Sequence, residues 1–120
     1  MRYLAVLQGN ATTEAGYVPS AEEMAGMGAY VEQAIREGWL LATEGLLPSA
    51  RATRVALAGG DHTVTDGPFT ESKELIASYA LLRVDSREEA IARATAFLDR
   101  LGEGEITLWP VFEVDAAPAG

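Results

Sequence analysis

The sequence predicts an α+β fold in which two helices cover one face of an antiparallel sheet. Two segments show helical spacing of apolar residues, and each is introduced by a serine cap. Short stretches of strand sequence surround them, so the predicted order is strand, helix, strand, hairpin, strand, helix, strand. Two β-α-β units in this order form the ferredoxin-like arrangement, here with a β-hairpin inserted at its middle.

Both predicted helices begin with a capping box, at residues 20–23 and 86–89 (Ser-Ala-Glu-Glu and Ser-Arg-Glu-Glu). In this pattern the serine hydroxyl accepts an amide proton from the glutamate, whose carboxylate reaches back to the cap. Gly38 and Gly102 mark the helix ends. Each helix has a single apolar face, so each should lie on one side of a sheet. The apolar residues are Met24, Met27, Val31, Ala34 and Ile35 in the first helix and Ala90, Ile91, Ala94, Phe97, Leu98 and Leu101 in the second.

Strand sequence fills the intervals between the helices. Residues 3–7 are apolar on both alternating faces, which predicts a central strand covered on both sides. Residues 53–57 alternate before Gly59-Gly60-Asp61 turns the chain into residues 62–65, which predicts a hairpin. Pro110 indicates an edge or a bulge in the last strand. The remaining predicted strands are residues 39–47, 75–84 and 106–112.

Composition places the chain among ordinary globular domains, with 120 residues of which 48% are hydrophobic. The net charge of -9 argues against nucleic acid and against an anionic membrane surface, both of which favour clustered Lys and Arg. The absence of cysteine excludes disulfides and thiolate catalysis, and a single histidine leaves a zinc site without ligands. The sequence has no signal-peptide pattern and no run of roughly 18 apolar residues, so we expect a cytoplasmic protein.

Residues 66–74 carry the densest chemistry in the chain, with a tight turn, one aromatic ring and four ionisable groups. Asp66 ahead of Gly67-Pro68 suits a turn residue as well as it suits an acid–base catalyst. The neighbouring side chains are also open to two interpretations, since an aromatic ring suits the core and opposite charges pair at a surface. The candidate ligand-binding residues of this segment are Phe69, Glu71, Lys73 and Glu74.

Glu44 is the second candidate catalytic carboxylate. It lies among leucines, where burial of an ionised carboxylate is unfavourable unless it is paired. If Glu44 and Asp66 face one cavity, burial and mutual repulsion would raise a pKa toward the range of a general acid or base. His62 lies in the predicted hairpin, where we expect it to be exposed. An extended chain would separate His62 from Asp66 by roughly 13 Å, so we do not expect a His–Asp dyad.

The segment Thr65-Asp66-Gly67-Pro68-Phe69, continued by Glu71, Lys73 and Glu74, resembles the signature of the YCII-related family and, within it, of the DGPF-domain proteins. Similarity extends to residues 2–7, 20–24, 44–46, 84–85 and 106–111. The resemblance implies the fold of dimeric α/β barrels and an association with extracytoplasmic-function sigma factors. Broader members of the family suggest a His–Asp pair with an early histidine, which this chain lacks. We expect a single domain over residues 1–114 and a disordered tail at 115–120, where nothing is available to bury.

A sheet with helices on one face leaves its other face uncovered. Tyr3, Ala5 and Leu7, with one alternating set among residues 75–84, are too apolar to be left in water. We therefore expect a homodimer packed sheet to sheet, with a cavity between or beside the sheets.

Three functions fit the sequence. The first is a cofactor-free enzyme of isomerase or lyase type that acts on a small organic molecule, with Asp66 and Glu44 as acid and base. The second is a small-molecule-binding or sigma-factor-associated regulatory protein without catalysis, and the third is a structural dimer. A carboxylate pocket near Tyr3 or Trp109 would favour the enzyme, so both residues join the ligand-binding candidates. Neither a phosphate-binding loop nor a dinucleotide fingerprint is present, so we expect no cofactor.

Overall fold

A computed structural model describes residues 1–114, with only the backbone of Ser72 included, so the predicted tail at 115–120 lies outside the described residues. Within this range the elements follow the predicted order, with a short additional helix and two 3₁₀ turns, Ser49–Arg51 and Ser72–Glu74. The strands are β1 (Arg2–Gln8), β2 (Leu40–Gly45), β3 (Thr53–Ala58), β4 (Asp61–Asp66), β5 (Ile76–Arg83) and β6 (Ile106–Pro110), and the helices are α1 (Ala11–Glu14), α2 (Ala21–Glu37) and α3 (Arg87–Leu101).

Helix α2 begins and ends where the sequence predicts. The Ser20 hydroxyl accepts the amide proton of Glu23 at 3.1 Å, and the Glu23 carboxylate accepts that of Ser20 at 3.0 Å. The capping box is therefore complete. Gly38 ends the helix with φ of 88°, a left-handed conformation that glycine adopts without a steric penalty.

Helix α3 uses a variant of the same start. The Ser86 hydroxyl accepts the amide proton of Glu89 at 3.1 Å, as predicted. The Glu89 carboxylate, however, accepts a proton from the amide of Asp85 at 2.8 Å, one residue before the cap. The Ser86 contact satisfies an amide group that the first turn leaves unpaired, and the Glu89 contact fixes the residue before the cap.

Four strands form an open antiparallel sheet in the order β2–β5–β1–β6. Strand β1 lies between β5 and β6, as its two-sided apolar sequence predicts, and Ala5 pairs with Ala80 on one side and with Leu108 on the other. Strand β6 is an edge strand, a position that accommodates Pro110. With α2 and α3 packed on this sheet, the chain has the predicted ferredoxin-like α+β fold.

The helices cover the sheet face that carries Tyr3 and Ala5. Both side chains are buried in one cluster with Ala34 of α2 and Ala90 of α3. The prediction that the Tyr3 face is uncovered was therefore wrong, because alternation along a strand separates two faces without identifying which one the helices cover. The uncovered face, called the open face below, carries the alternate residues of the central and edge strands, which are Leu4, Val6, Tyr79, Leu81 and Trp109.

Strands β3 and β4 form a separate two-stranded sheet, called the arm below. Gly59 and Gly60 connect them with φ of 59° and 85°, which are the positive values that the tightest hairpin turns require. Every residue of both strands is exposed, including His62 as predicted. The arm is thus a hairpin outside the main body of the molecule.

Helix α1 was not predicted. The Asn10 side chain accepts the amide proton of Thr13 at 3.0 Å, and the Thr13 hydroxyl accepts that of Asn10 at 2.8 Å. This is a capping box in which threonine takes the place of the usual Glu or Gln, so the sequence pattern is easily missed. Helix α1 ends at Glu14, whose carboxylate accepts hydrogen bonds from Ser49.

Candidate ligand-binding site

A cavity of about 450 Å³, called the interlayer cavity below, lies between the sheet and helices α2 and α3. The space is partly open to solvent, so it is a cleft between the two layers and not a sealed void. In keeping with it, no large side chain among the described residues is completely buried. The wall is mostly apolar and includes Leu7, Met27, Val31, Phe97, Leu101 and Ile106.

Polar side chains also border this wall, among them Tyr30, Ser78 and Arg93. Within residues 1–114 the hydroxyl groups of Tyr30 and Ser78 make no hydrogen bond to protein. The guanidinium carbon of Arg93 lies 4.2 Å from the centroid of the Trp39 ring. No carboxylate in the described part of the chain forms an ion pair with Arg93. Two hydroxyls and one cation are thus available to a bound molecule.

Trp39 also connects Arg93 to a nearby carboxylate. Its indole N–H donates to Oε1 of Glu37 at 3.0 Å. Hydrogen bonds from Trp39 and Gln33, with a smaller contribution from the charge on Arg93, hold the pKa of Glu37 below its usual range. Glu37 is therefore ionised at neutral pH and offsets part of the positive charge of Arg93, while the Arg93 N–H groups have no hydrogen-bond acceptor among the described residues.

A second cavity, of about 520 Å³, lies beside the segment at residues 66–74 and is called the motif cavity below. Ser49 is a buried polar residue on its wall. Its hydroxyl donates to Oε2 of Glu14 at 2.6 Å and accepts the amide proton of Phe69 at 3.0 Å. The Ser49 amide donates to the other Glu14 oxygen at 3.0 Å. These hydrogen bonds from Ser49 hold the pKa of Glu14 below its usual range.

Gly67 approaches Ser49 too closely for any other residue. A Cβ atom at this position would overlap the carbonyl oxygen of Ser49. The Gly67 amide donates to the carbonyl oxygen of Ala52 at 2.9 Å, and the bond from Gly67 to Pro68 is cis. The glycine of the motif is therefore explained by backbone packing against the Ser49–Arg51 turn.

Arg54 of β3 connects the motif to the arm. Its guanidinium carbon lies 4.2 Å from the centroid of the Phe69 ring, and its Nη2 lies 2.8 Å from Oε1 of Glu74. The ion pair accounts for the Glu74 carboxylate beside the apolar start of β5. Phe69 and Glu74 both border the motif cavity, and Phe69 is half-buried there.

Glu44 borders the interlayer cavity, but its side chain is exposed, so the predicted burial was wrong. The reason is an irregularity in β2, where the register shifts between Leu40 and Ala42. Leu40 pairs with Leu82 on the helix-covered side, whereas Glu44 pairs with Tyr79 on the open face. An extra residue of this kind reverses the alternation of every side chain that follows it.

Asp66 lies at the end of β4, where its carboxylate accepts a hydrogen bond from the Thr53 hydroxyl at 3.1 Å. It is exposed and borders neither the interlayer cavity nor the motif cavity. The described chain therefore does not bring Asp66 and Glu44 to one cavity. Their catalytic roles stay predictions.

The other predicted ligand-binding residues are spread over the molecule. Tyr3 is buried beneath the helices, and Trp109 is 58% exposed on the open face. Glu71 and Lys73 are exposed beside the Ser72–Glu74 turn. A ligand-binding role for these four residues stays a prediction.

Sequence reasoning missed three residues that define the cavities. Arg93 carried a usable signal, because it lies three residues after Ala90 and four before Phe97 and so interrupts the apolar stripe of α3. Glu14 and Ser49 carried none, since they are 35 residues apart and meet only in the folded chain.

Residues 1–114 contain no group of three or more histidine or carboxylate side chains that could hold a metal ion. No helix in this range combines the length and hydropathy of a membrane-spanning segment.

Comparison with known protein families matches residues 1–114 to the YCII-related domain. The match spans both cavities, the arm and the motif at residues 66–74, so it agrees with the resemblance that the motif carries. A search of curated proteins gave no significant match.

Proposed function

The chain belongs to the YCII-related family, and on that premise we propose that it is a homodimer that binds a small organic molecule in the interlayer cavity. The observation that supports the proposal is the cavity itself, with about 450 Å³ between sheet and helices. Ligand sites usually enclose roughly 300–1,000 Å³ and combine an apolar wall with a few polar groups. The hydroxyls of Tyr30 and Ser78 and the guanidinium of Arg93 are such groups.

The wall and its polar groups indicate the class of ligand. The apolar wall favours a ring or a branched chain, and the aromatic side chains around it favour contact with a second ring. Arg93 has no ion-pair partner among the described residues, and a guanidinium binds a carboxylate or another oxyanion through charge-assisted hydrogen bonds. The proposed ligand therefore has an apolar body and an anionic group.

Two dyes that differ in one group test this assignment. 1-Anilinonaphthalene-8-sulfonate carries an anion, and N-phenyl-1-naphthylamine has the same apolar body without it. We expect both to bind, with a rise in fluorescence. Arg93→Gln should weaken binding of the sulfonate dye by about tenfold, the loss of roughly 1.4 kcal/mol from a charge-assisted hydrogen bond, and leave the neutral dye unchanged.

A matched pair of variants on α3 locates the bound dye. Ala94 borders the interlayer cavity, whereas Ala96 is exposed on the same helix. Ala94→Phe should fill the cavity and abolish binding of both dyes, and Ala96→Phe should leave binding intact. Equal binding by the two variants would place the dyes elsewhere and reject the interlayer cavity as the site.

The open face supports the homodimer. It presents Trp109 at 58% exposure next to half-buried Leu4 and Leu81 on neighbouring strands. Contiguous apolar surface of this kind marks an interaction site in soluble proteins. Sedimentation at micromolar concentration should give twice the mass of one 12.7 kDa chain. A monomer under those conditions would reject the dimer.

A cofactor-free acid–base enzyme of isomerase or lyase type is the second candidate. The observation that favours it is that Glu44, a predicted catalytic carboxylate, lies at the exposed edge of the interlayer cavity, with its side chain on the open face. A carboxylate there could take a proton from a carbon next to a carbonyl group and return it to another atom. Asp66 borders neither cavity, so its part in such a step would depend on the second copy.

Exchange of carbon-bound protons in heavy water tests the enzyme. Ring-bearing keto acids combine an apolar body, an anion and an acidic C–H bond, and they would be followed by NMR. Glu44→Gln keeps the shape of the side chain but cannot take up a proton, so exchange should fall at least about 100-fold. Exchange that is equal in the variant and the parent would reject Glu44 as the base.

The association with an extracytoplasmic-function sigma factor stays a prediction from the resemblance. In a binding protein, occupation of the cavity would change the affinity for such a partner. Co-purification of the partner with and without the sulfonate dye tests this coupling. If equal amounts of partner are captured in both conditions, partner binding does not depend on the ligand. The cytoplasmic location likewise stays a prediction.

A further inference from the structure

The arm has one apolar and one polar face. Val55 and Val64 pair directly across its two strands, and Leu57 follows on the same face opposite His62, with the Thr53–Asp66 pair at the other end. Val55, Val64 and Leu57 are 68%, 67% and 64% exposed, respectively. The other face carries Arg54 and Ala56, with threonines opposite them. The arm thus has the pattern of a sheet that covers a core, yet its apolar face covers nothing in the described chain.

Contacts with the body hold the arm by its polar face. Arg54 stacks on Phe69 and pairs with Glu74. Because side chains alternate along a strand, Val55 points to the side opposite these contacts. The apolar face is therefore turned away from the body at the level of the motif.

A two-stranded hairpin is marginally stable in water unless a third strand or another layer covers it. The radius of gyration of the chain is 16.7 Å, against roughly 13–14 Å expected for a compact domain of this length. An extended chain with an uncovered hairpin indicates that the missing layer comes from outside the chain.

We propose that the arm docks through Val55, Leu57 and Val64 on a second copy of this chain, as part of the same interface as the open face. This inference rests on the proposed homodimer and adds the arm to it. In a two-fold dimer each copy gives one arm and receives one, so both exposed apolar faces are covered at once.

The areas involved favour an interface that uses both surfaces. Four strands of about seven residues give the open face a projected area of about 450 Å², and the arm adds about 200 Å². A stable interface buries about 800 Å² of accessible surface on each partner. The arm therefore raises the projected area available to the interface by nearly half. Since accessible surface exceeds projected area, sheet and arm together are large enough for a stable dimer interface.

Substitutions on the two faces of the same strand test the proposal. Val64→Asp puts a charge on the apolar face, and Thr63→Asp puts the same charge on the adjacent residue of the polar face. Both residues are exposed, so both variants should fold, which circular dichroism will check. We expect Val64→Asp to raise the dissociation constant of the dimer at least about 100-fold, because the interface would bury an unpaired charge, and Thr63→Asp to change it less than about threefold.

Leu4→Asp on the open face distinguishes the arm proposal from the homodimer proposal. If Leu4→Asp dissociates the dimer while Val64→Asp behaves like Thr63→Asp, the dimer stands and the arm proposal is overturned. If the parent chain sediments as a monomer, the dimer and the arm proposal fall together. Dissociation by both Leu4→Asp and Val64→Asp, but not by Thr63→Asp, is the result expected.

A single introduced thiol gives an independent measurement, because the chain contains no cysteine. The Ala58→Cys variant carries one spin label near the tip of the arm, so a dimer contains two labels. The distance between the two labels should form one narrow population that disappears when Val64→Asp is added. A broad distribution, unchanged by Val64→Asp, would mean that the arm is free and would overturn the proposal.

Discussion

The body and the arm are both built of antiparallel strands with apolar cross-strand pairs, but the burial of these pairs is opposite. Leu82 of β5 is 3% exposed beneath the helices, whereas Val64 of β4 is 67% exposed. Both belong to antiparallel pairs with apolar cross-strand neighbours, Tyr3 for Leu82 and Val55 for Val64. The comparison teaches that alternation encodes an apolar face, while the element that covers this face is encoded elsewhere. In the body it is a helix of the same chain, and for the arm we propose a second copy.

Leu82→Ala should have the largest effect on stability, and it tests the body side of the comparison. Removal of a buried leucine side chain leaves a cavity and lowers the free energy of unfolding by about 2–5 kcal/mol. Val64→Ala, at a concentration where the chain is monomeric, should lower it by less than about 0.5 kcal/mol. Urea denaturation of both variants measures this difference. Similar losses would mean that the arm is buried by its own chain.

Gly67→Ala tests the junction between the two regions. The new Cβ would overlap the Ser49 carbonyl oxygen, so the motif must move away from the Ser49–Arg51 turn. We expect a loss of about 1–3 kcal/mol in the free energy of unfolding, the usual range for overpacking. Gly28→Ala is the control, because a Cβ atom at Gly28 would meet no atom within 4 Å. Gly28 lies in the interior of α2, where alanine is favoured over glycine. A stable Gly67→Ala variant would contradict the close approach.

Ser49→Ala tests how the body fixes the motif. The variant leaves the partly buried Phe69 amide without its acceptor, which should cost about 1–2 kcal/mol at neutral pH. The Glu14 pKa is lowered in the folded chain by hydrogen bonds from Ser49, so its contribution is present above the ordinary glutamate pKa and is lost as pH falls from there through the lowered pKa of the folded state. The difference in stability between parent and variant should therefore shrink from pH 7 to pH 3. A difference that stays constant over this range would contradict a role for ionised Glu14.

Arg54→Gln should have a small effect on global stability and a clear effect on the arm. Its ion pair with Glu74 and its contact with Phe69 are partly exposed, so global unfolding should change by less than about 1 kcal/mol. Amide hydrogen exchange of the monomeric variant should speed up in β3 and β4 and stay unchanged in β5. Equal acceleration in all three strands would show that the arm and the body unfold together.

Much of this fold was predictable, because its signals are local. The serines at positions 20 and 86 and the glycines at 38 and 102 set the helix limits through contacts within one turn. The central position of β1 followed from its own apolar sequence. The helix-covered face was not predictable, because that choice depends on packing between segments far apart in the chain.

The candidate site was much less predictable than the fold. The interlayer cavity is a property of how helices and sheet fit together, and single-sequence patterns contain no measure of that fit. The contact between Glu14 and Ser49 is likewise long-range. Arg93 was the exception, since a charge within an apolar stripe is visible in the sequence itself.

The irregularity at Leu41 has a consequence for how this scaffold can change. Because one surplus residue in β2 sends Thr43 inward and Glu44 outward, removal of that residue would exchange the inward and outward sets without altering any side chain. Glu44 would then point among the apolar residues of the interlayer cavity. A single-residue deletion at this position, more than any substitution, is the step by which a carboxylate could be moved into the interlayer cavity.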